Sequence, residues 1–383
     1  MKNICIVIGS RANYSSIKSV MKAIQLSPEL TLQTILFASS VLEKYGNVEK
    51  LILKDGFTIN DRIYNLIEGE NPITMAKSTG LGLIEIPPIL HKLKPDYVVV
   101  VGDRYETMAI TISACYLDIP VIHTMGGEVS GTIDESIRHA TTKFSSIHFA
   151  ASSEAKERII ALGEDQKYVF DVGCPRIDLV KDLVDNLDKV DLSPLNKGVG
   201  AHIDTTKPFL LVSQHPVTTE YEEAQKQMAT TLEAVKEINI PAIILWPNSD
   251  AGSDGISKSI RKFRESNPNT NMHFYKNLPV DVYIYLMNTT LCLIGNSSSG
   301  IREGAFIGTP VVNLGTRQLN RQRGLNVINS AHDKQSIKNA VNHQINHGSY
   351  ESSSIYGDGS AGVKIAEIIS KLSLKTSQKS ITY

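Results

Sequence analysis

Residues 97–106 read YVVVVGDRYE, a tyrosine and four valines followed by Gly102, Asp103 and Arg104. β-Branched side chains favour extended backbone, and a run that is apolar at every position suits a strand covered on both faces. Such strands belong to parallel sheets, where ligands meet the loops beyond the carboxyl ends. The charged pair after Val101 therefore stands where chemistry is expected.

Outward from this run the pattern repeats. Strand candidates precede it at 3–8 (NICIVI) and 32–37 (LQTILF) and follow it at 120–123 (PVIH), 146–150 (SIHFA) and 168–172 (YVFDV). Each leads through a loop into a longer amphipathic segment, so strands alternate with helices and a parallel sheet with helical crossovers is predicted. A polar, poorly periodic stretch at 181–206 interrupts the pattern. It resumes at 208–213 (PFLLVS), 242–246 (AIILW), 272–275 (MHFY), 291–295 (LCLIG) and 310–314 (PVVNL). The reading is an α/β protein of two Rossmann-like, doubly wound domains, 1–180 and 181–362. The segment 363–383 opens with VKIAEIISKL, a helix candidate expected to pack back on the first domain. It ends in KTSQKSITY, a polar tail expected to be mobile.

Bulk properties agree with two domains. The chain has 383 residues, and single hydrophobic cores stop growing near roughly 250–300. A hydrophobic fraction of 42% and a charged fraction of 21% exclude a disordered or fibrous chain. The formal net charge of −1 offers no overall positive field for nucleic acid or an anionic membrane surface, although local donors can still hold a small anion. The apolar run before Arg11 is too short for a secretory core and no stretch approaches a membrane span, so the cytoplasm is the expected compartment. Cys5, Cys115, Cys174 and Cys292 lack metal-ligand spacing and read as reduced, mostly buried thiols.

Polar clusters fall at the strand ends. The loop Gly9–Ser15 lacks GxGxxG, which argues against a dinucleotide fingerprint, and its Arg11 suits a cap of local carbonyls as well as a phosphate. Read blandly, Asp103 caps the next helix with Arg104 as its ion-pair partner. After PVIHT come Gly126, Gly127 and Glu128; paired glycines admit close backbone approach, and packing gives no reason for the acid beside them. Asp134 opens a helix and shares a face with Arg138, an ordinary i,i+4 pair. Strand ends also carry His215 and Asn248. The strongest phosphate signal is Asn296-Ser-Ser-Ser-Gly-Ile-Arg-Glu-Gly304, where small residues at a helix start leave N–H groups facing outward at the positive end of the dipole. A plain serine cap is the simpler alternative.

Taken together, GSRANYS (9–15), VGDRYE (101–106), GGEVSGTIDESIRHA (126–140), SQHPVTT (213–219), PNSDAGS (247–253) and IGNSSSGIREGAFIGTPVVNLGTRQ (294–318) resemble the hydrolysing UDP-N-acetylglucosamine 2-epimerase family. The likeness runs to about residue 360 and is nearest to sialic-acid-pathway members, including the epimerase half of the animal bifunctional epimerase/kinase, whose Tyr-Gly-Asp-Gly recurs at Tyr356–Gly359. It implies two Rossmann-type domains facing across a cleft, as in glycosyltransferase-B folds. It also implies conversion of UDP-GlcNAc and water to N-acetylmannosamine and UDP by a homodimer or homotetramer, without NAD and without a metal site. The family's catalytic residues match Asp103, Glu128, Asp134 and His215. Asp103 and Glu128 are the expected proton carriers, with Asp134 orienting or sharing that role. Nucleotide-sugar contacts match Arg11, Ser15, Arg104, Asn248, Ser297, Ser298, Glu303 and Arg317, with Glu303 expected on the ribose hydroxyls.

Two departures stand out. Asn13 occupies a position where relatives are expected to be acidic. Lys258 and Arg261 correspond to a feedback site for CMP-sialic acid in the animal enzymes, although a solvated helix face is the plainer reading. Two alternatives stay open: a 2-epimerase of a UDP- or GDP-linked 2,4-diacetamido-6-deoxyhexose of legionaminic-acid-type pathways, and a non-catalytic nucleotide-sugar binding module.

Overall fold

The structure, a computed structural model, describes residues 1–68, 72–130, 133–217, 219–247 and 252–382. The β-branched runs become two seven-stranded sheets. The first contains β1 (Lys2–Ile8), β2 (Leu30–Phe37), β3 (Asp61–Ile63), β4 (Tyr97–Val101), β5 (Val121–Thr124), β6 (Ile147–Ala150) and β7 (Val169–Asp171), in the order 3-2-1-4-5-6-7. All its pairings are parallel. The second contains β8 (Val199–Gly200), β9 (Leu210–Ser213), β10 (Ala242–Leu245), β11 (Met272–Tyr275), β12 (Cys292–Gly295), β13 (Val311–Leu314) and β14 (Val327–Ser330), in the order 14-13-12-9-10-11-8. Its pairings are parallel except for β8, which runs antiparallel along β11. This edge strand lies within the stretch read as an interdomain link.

Contacts divide the chain into two compact units: Met1–Glu128, Asp134–Leu179 and Tyr356–Tyr383 form one, and Val129–Ile133 with Val180–Ile355 the other. The chain thus rejoins the first unit at Tyr356, ahead of the boundary expected at 362. Each sheet is buried on both faces, as continuous apolar runs require. Val98 and Val100 pack with Ile35, Ile86 and Ile110 in the first unit, and Leu210, Val212, Ile244 and Ile294 with Met228 and Val341 in the second. Each such side chain contributes roughly 1.5–3 kcal/mol on burial.

Strand order reverses direction between β1 and β4 in the first sheet, and between β12 and β9 in the second. At these switch points adjacent loops diverge and open a crevice. Arg11 and Asp103 follow the strands at the first switch point, His215 and Ser297 those at the second.

The helix Ala361–Lys371 packs on Arg11–Leu26. Asp178 accepts its first amides, Ala361 N–H at 3.0 Å and Gly362 N–H at 2.6 Å. The tail beyond it is ordered on the first unit, contrary to its reading as mobile. Tyr97 Oη donates to Leu374 O at 2.8 Å, Asp118 accepts Ser377 N–H at 2.8 Å, and Thr382 N–H donates to Gly163 O at 3.1 Å. Lys379 Nζ reaches Glu164 and the Ser145 carbonyl. The polar residues that made the tail look solvated are the ones that bind it, because the amino ends of the strands offer carbonyls and carboxylates.

Candidate functional site

In the first unit the candidate residues gather on the loops after β4 and β5 and on the helix Asp134–Phe144. Gly102 turns the chain out of β4 with φ +72°, a conformation that favours glycine. Arg104 occupies the N-cap of helix Tyr105–Tyr116, so Asp103 is not the cap residue expected. Instead, the Asp103 carboxylate accepts a hydrogen bond from Arg138 Nη2, while Arg104 Nε donates to the buried Glu106 Oε1 at 2.8 Å.

Arg138 is the hub. Its side chain is 1% exposed, and Nη1 donates to the Glu128 carbonyl at 2.7 Å. Its reach beyond its own helix goes further than the i,i+4 pairing with Asp134 read from the sequence. One buried guanidinium thereby joins the Asp103 loop, the Glu128 loop and the Asp134 helix. Such a charge is stabilised only with good geometry and satisfied partners. Asp103 is 28% exposed and Asp134 half-buried, whereas Glu128 is only 3% exposed.

The Glu128 turn is tightly determined. Met125 has φ +63°, costly for a residue with a side chain, and Gly127 has φ +73°. A Cβ on Gly127 would lie 2.1 Å from the Ala155 carbonyl oxygen.

The Gly9–Ser15 loop starts the helix Arg11–Leu26. Ser10 caps it by accepting Asn13 N–H at 3.2 Å, and Asn13 Oδ1 accepts Gly9 N–H at 3.2 Å. Asn13 is therefore a turn-closing residue. Arg11 lies against Gly46, and Ser15, the fifth residue of the helix, is half-buried.

In the second unit Asn296 organises the strand ends. Its side chain accepts His215 N–H at 2.7 Å and donates to the His215 carbonyl at 2.8 Å. Its own carbonyl accepts from Arg317 Nη1 at 3.2 Å and Gln318 Nε2 at 2.9 Å. Ser297 caps the helix Ser298–Ile301 and shares a 2.8 Å hydrogen bond with Ser299 Oγ, which meets Tyr283 Oη at 2.6 Å. Burial pushes the Tyr283 hydroxyl up, so it stays protonated and able to donate. Ser298 is half-buried. The single helix expected here breaks at Arg302, and the buried Glu303 begins a second short helix, Glu303–Ile307.

Asn248 lies outside the described residues. Lys258 and Arg261 are exposed on helix Ser253–Ser266, as a solvated face requires. Among the described residues no group of three or more His, Cys, Asp or Glu side chains is placed to hold a metal ion. None of their helices is long and apolar enough to cross a membrane. The four cysteines are free, and Cys5, Cys174 and Cys292 are buried. Sequence reading named Asn296 only as the first residue of the serine-rich motif, missing its hold on His215, and treated Arg138 only as a neighbour of Asp134. The available signal for Arg138 was its place with Thr141 and Thr142 on the buried side of its helix.

Residues 22–370 match the family model described as UDP-N-acetylglucosamine 2-epimerase. The chain is 31% identical over 374 residues to a UDP-N,N'-diacetylbacillosamine 2-epimerase (hydrolyzing) of Legionella pneumophila, covering 98% of this chain and 97% of that one. It is 32% identical over 331 residues to a GDP/UDP-N,N'-diacetylbacillosamine 2-epimerase (hydrolyzing) of Campylobacter jejuni, covering 86% and 84%. In fold it resembles the crystal structure of UDP-GlcNAc 2-epimerase from Neisseria meningitidis bound to UDP-GlcNAc, with a TM-score of 0.82, 19% identity, and coverage of 97% and 100%. With two doubly wound sheets, polar strand-end loops at both switch points, and a family match across most of its length, the chain belongs to the UDP-N-acetylglucosamine 2-epimerase family.

Proposed function

We propose that the chain is a hydrolysing nucleotide-sugar 2-epimerase, which removes UDP from a 2-acetamido hexose and inverts C2. The observation that carries this reading is the Arg138 hub, which gathers Asp103, Glu128 and Asp134 on one side of the first sheet.

The chemistry demands several acids. No ketone acidifies the C2 hydrogen, so its removal must accompany departure of the nucleotide from C1. A carboxylate takes the C2 proton, the C–H electrons form the C1=C2 bond, and the C1–O electrons leave with the β-phosphate. Water then adds its oxygen to C1 and gives up one proton to a carboxylate, while an acid delivers a proton to C2 from the opposite face and the C1=C2 electrons form the new C–H bond. Transfers on two faces need two groups. We assign them to Asp103 and Asp134, the acids with solvent access, and give the more buried Glu128 a supporting role. Ser297, Ser298 and Arg317 receive the diphosphate and stabilise its developing charge, with His215 beside them on the next strand end. Glu303 faces the ribose. Arg11, Ser15, Arg104 and Asn248 complete the contacts.

Neither step involves the substituents at C4 or C6. Relatives at 31% and 32% identity named for diacetylbacillosamine favour a 2,4-diacetamido-2,4,6-trideoxyhexose as the sugar. UDP-GlcNAc is the second reading, favoured by the family description and by a 27% identical relative from Neisseria meningitidis named UDP-N-acetylglucosamine 2-epimerase.

Proton NMR of the purified protein with each nucleotide sugar in D2O tests both. Free manno-configured sugar with deuterium at C2, plus UDP, is the expected product. A UDP-linked epimer would overturn the hydrolytic reading, and binding without turnover of either sugar would leave a nucleotide-sugar binding module.

A further inference from the structure

We infer that His123, a fully buried histidine on β5, is a positioning residue that fixes the Asp103 loop to the helix carrying Asp134 and Arg138. This deepens the proposed function and rests on it, but the geometry is independent of the substrate.

The imidazole touches three segments at once. Nε2 lies 2.8 Å from the Gly102 carbonyl oxygen, and Nδ1 lies 3.2 Å from Thr142 Oγ1. A Cβ on Gly126 would fall 2.8 Å from Nδ1, so the ring packs directly beneath the turn that leads to Glu128.

A carbonyl oxygen only accepts, so the ring proton sits on Nε2, and Nδ1 takes the Thr142 hydroxyl hydrogen. Thr142 is one turn beyond Arg138 on the same helix face, and Arg138 holds the Asp103 carboxylate. The bonds close a circuit: His123, Gly102, Asp103, Arg138, Thr142 and back to His123. A closed circuit resists tilting of either the loop or the helix alone, which an open pair does not.

Burial pushes the His123 imidazole down to about 3, against the Gly102 carbonyl and the Asp103 carboxylate, with His148 and Arg138 adding to the downward push. His148 stands opposite it on β6. The ring is therefore neutral through the working range and keeps one donor and one acceptor, as the circuit needs. Because His123 meets the Gly102 carbonyl and the Thr142 hydroxyl and no reacting atom, its effect passes through Asp103.

The test uses the full chain. Long-range 1H–15N spectra of the imidazole should show the proton on Nε2 and no titration between pH 5 and 8. His123→Phe should lower kcat by about 100-fold, the scale of a 1 Å misplacement, with KM within about threefold. His123→Gln, whose amide can still donate to the Gly102 oxygen, should recover at least about tenfold of that loss. Thr142→Val, close in shape, should cost about threefold to tenfold in kcat at unchanged melting temperature, and serves if His123→Phe does not fold. A ring protonated on Nδ1, a titration near neutrality, or a Gln variant no better than Phe overturns the inference. If the parent turns over neither nucleotide sugar, the proposed function falls, and the tautomer still decides the role of His123.

Discussion

The Asn296 side chain holds His215 from both sides of its peptide, accepting its N–H at 2.7 Å and donating to its carbonyl at 2.8 Å. Asn296 is itself fully buried. A strand-end histidine with its backbone pinned in this way presents its ring from a fixed origin, as pre-organised chemistry requires. The amide also ties the two strands that flank the switch point of the second sheet.

Replacing Asn296 by Ala leaves the His215 amide and carbonyl without these partners. The expected cost is about 1–3 kcal/mol in stability, read from thermal melts, with a kcat loss of at least about tenfold from the displaced histidine. Unchanged turnover in a destabilised protein would remove His215 from the reaction.

Arg138→Lys keeps the charge but loses the fork that spans Asp103 and the Glu128 carbonyl. We expect kcat to fall by about 100-fold or more. The stability loss should be roughly 2–3 kcal/mol, below the cost for a fully sealed pair because Asp103 is 28% exposed. Chemical denaturation and steady-state kinetics measure the two effects separately.

Among the acids, Asp103→Asn and Asp134→Asn should abolish deuterium incorporation at C2 while UDP affinity stays within about threefold. Glu128→Gln should retain more activity than either. A Glu128 variant as inactive as Asp103→Asn would return a proton-transfer role to that carboxylate.

Acid stability should depend on Glu164. Burial alone would raise its carboxyl, but hydrogen bonds from His148, Lys143 and Lys379 outweigh this and bring it to about 2. A folded value below the unfolded one means the unfolded chain binds more protons, so this stabilisation is complete above about pH 4.5 and fades as pH falls toward 2. The full effect is roughly 3 kcal/mol. Lys379→Met should weaken it, release the tail, and speed amide exchange over 372–382.

Interior strands were legible because both of their faces are covered, which makes every residue of a short run apolar. β3, β8 and β14 were not. All three lie at sheet edges, and their residues are only partly buried, so DRI, VG and VINS carry no continuous apolar run, whereas the edge strand β7 was legible within YVFDV. Loop composition showed the strand-end acids and serines for a similar reason, since polar residues directly after an apolar run are conspicuous.

The groups that hold these residues were hidden by distance along the chain. Arg138 and Asp103 are 35 positions apart, and Asn296 and His215 are 81 apart. His123, inside an apolar strand, carries no mark that separates it from an ordinary core histidine. The tail failed differently, because polarity was read as affinity for water when the partners were carbonyls and a buried carboxylate.

That tail makes the first unit discontinuous, since its last segment, Tyr356–Tyr383, joins it only after Val180–Ile355 has emerged. At ~5–20 residues per second, a ribosome delivers the closing helix and strap roughly ten seconds or more after β7. During synthesis the downstream unit can reach its native state first, while the unit bearing Asp103 has its seven strands but still waits for its last helix. A premature stop shortly before Lys379 would therefore damage the half of the molecule that was made earliest.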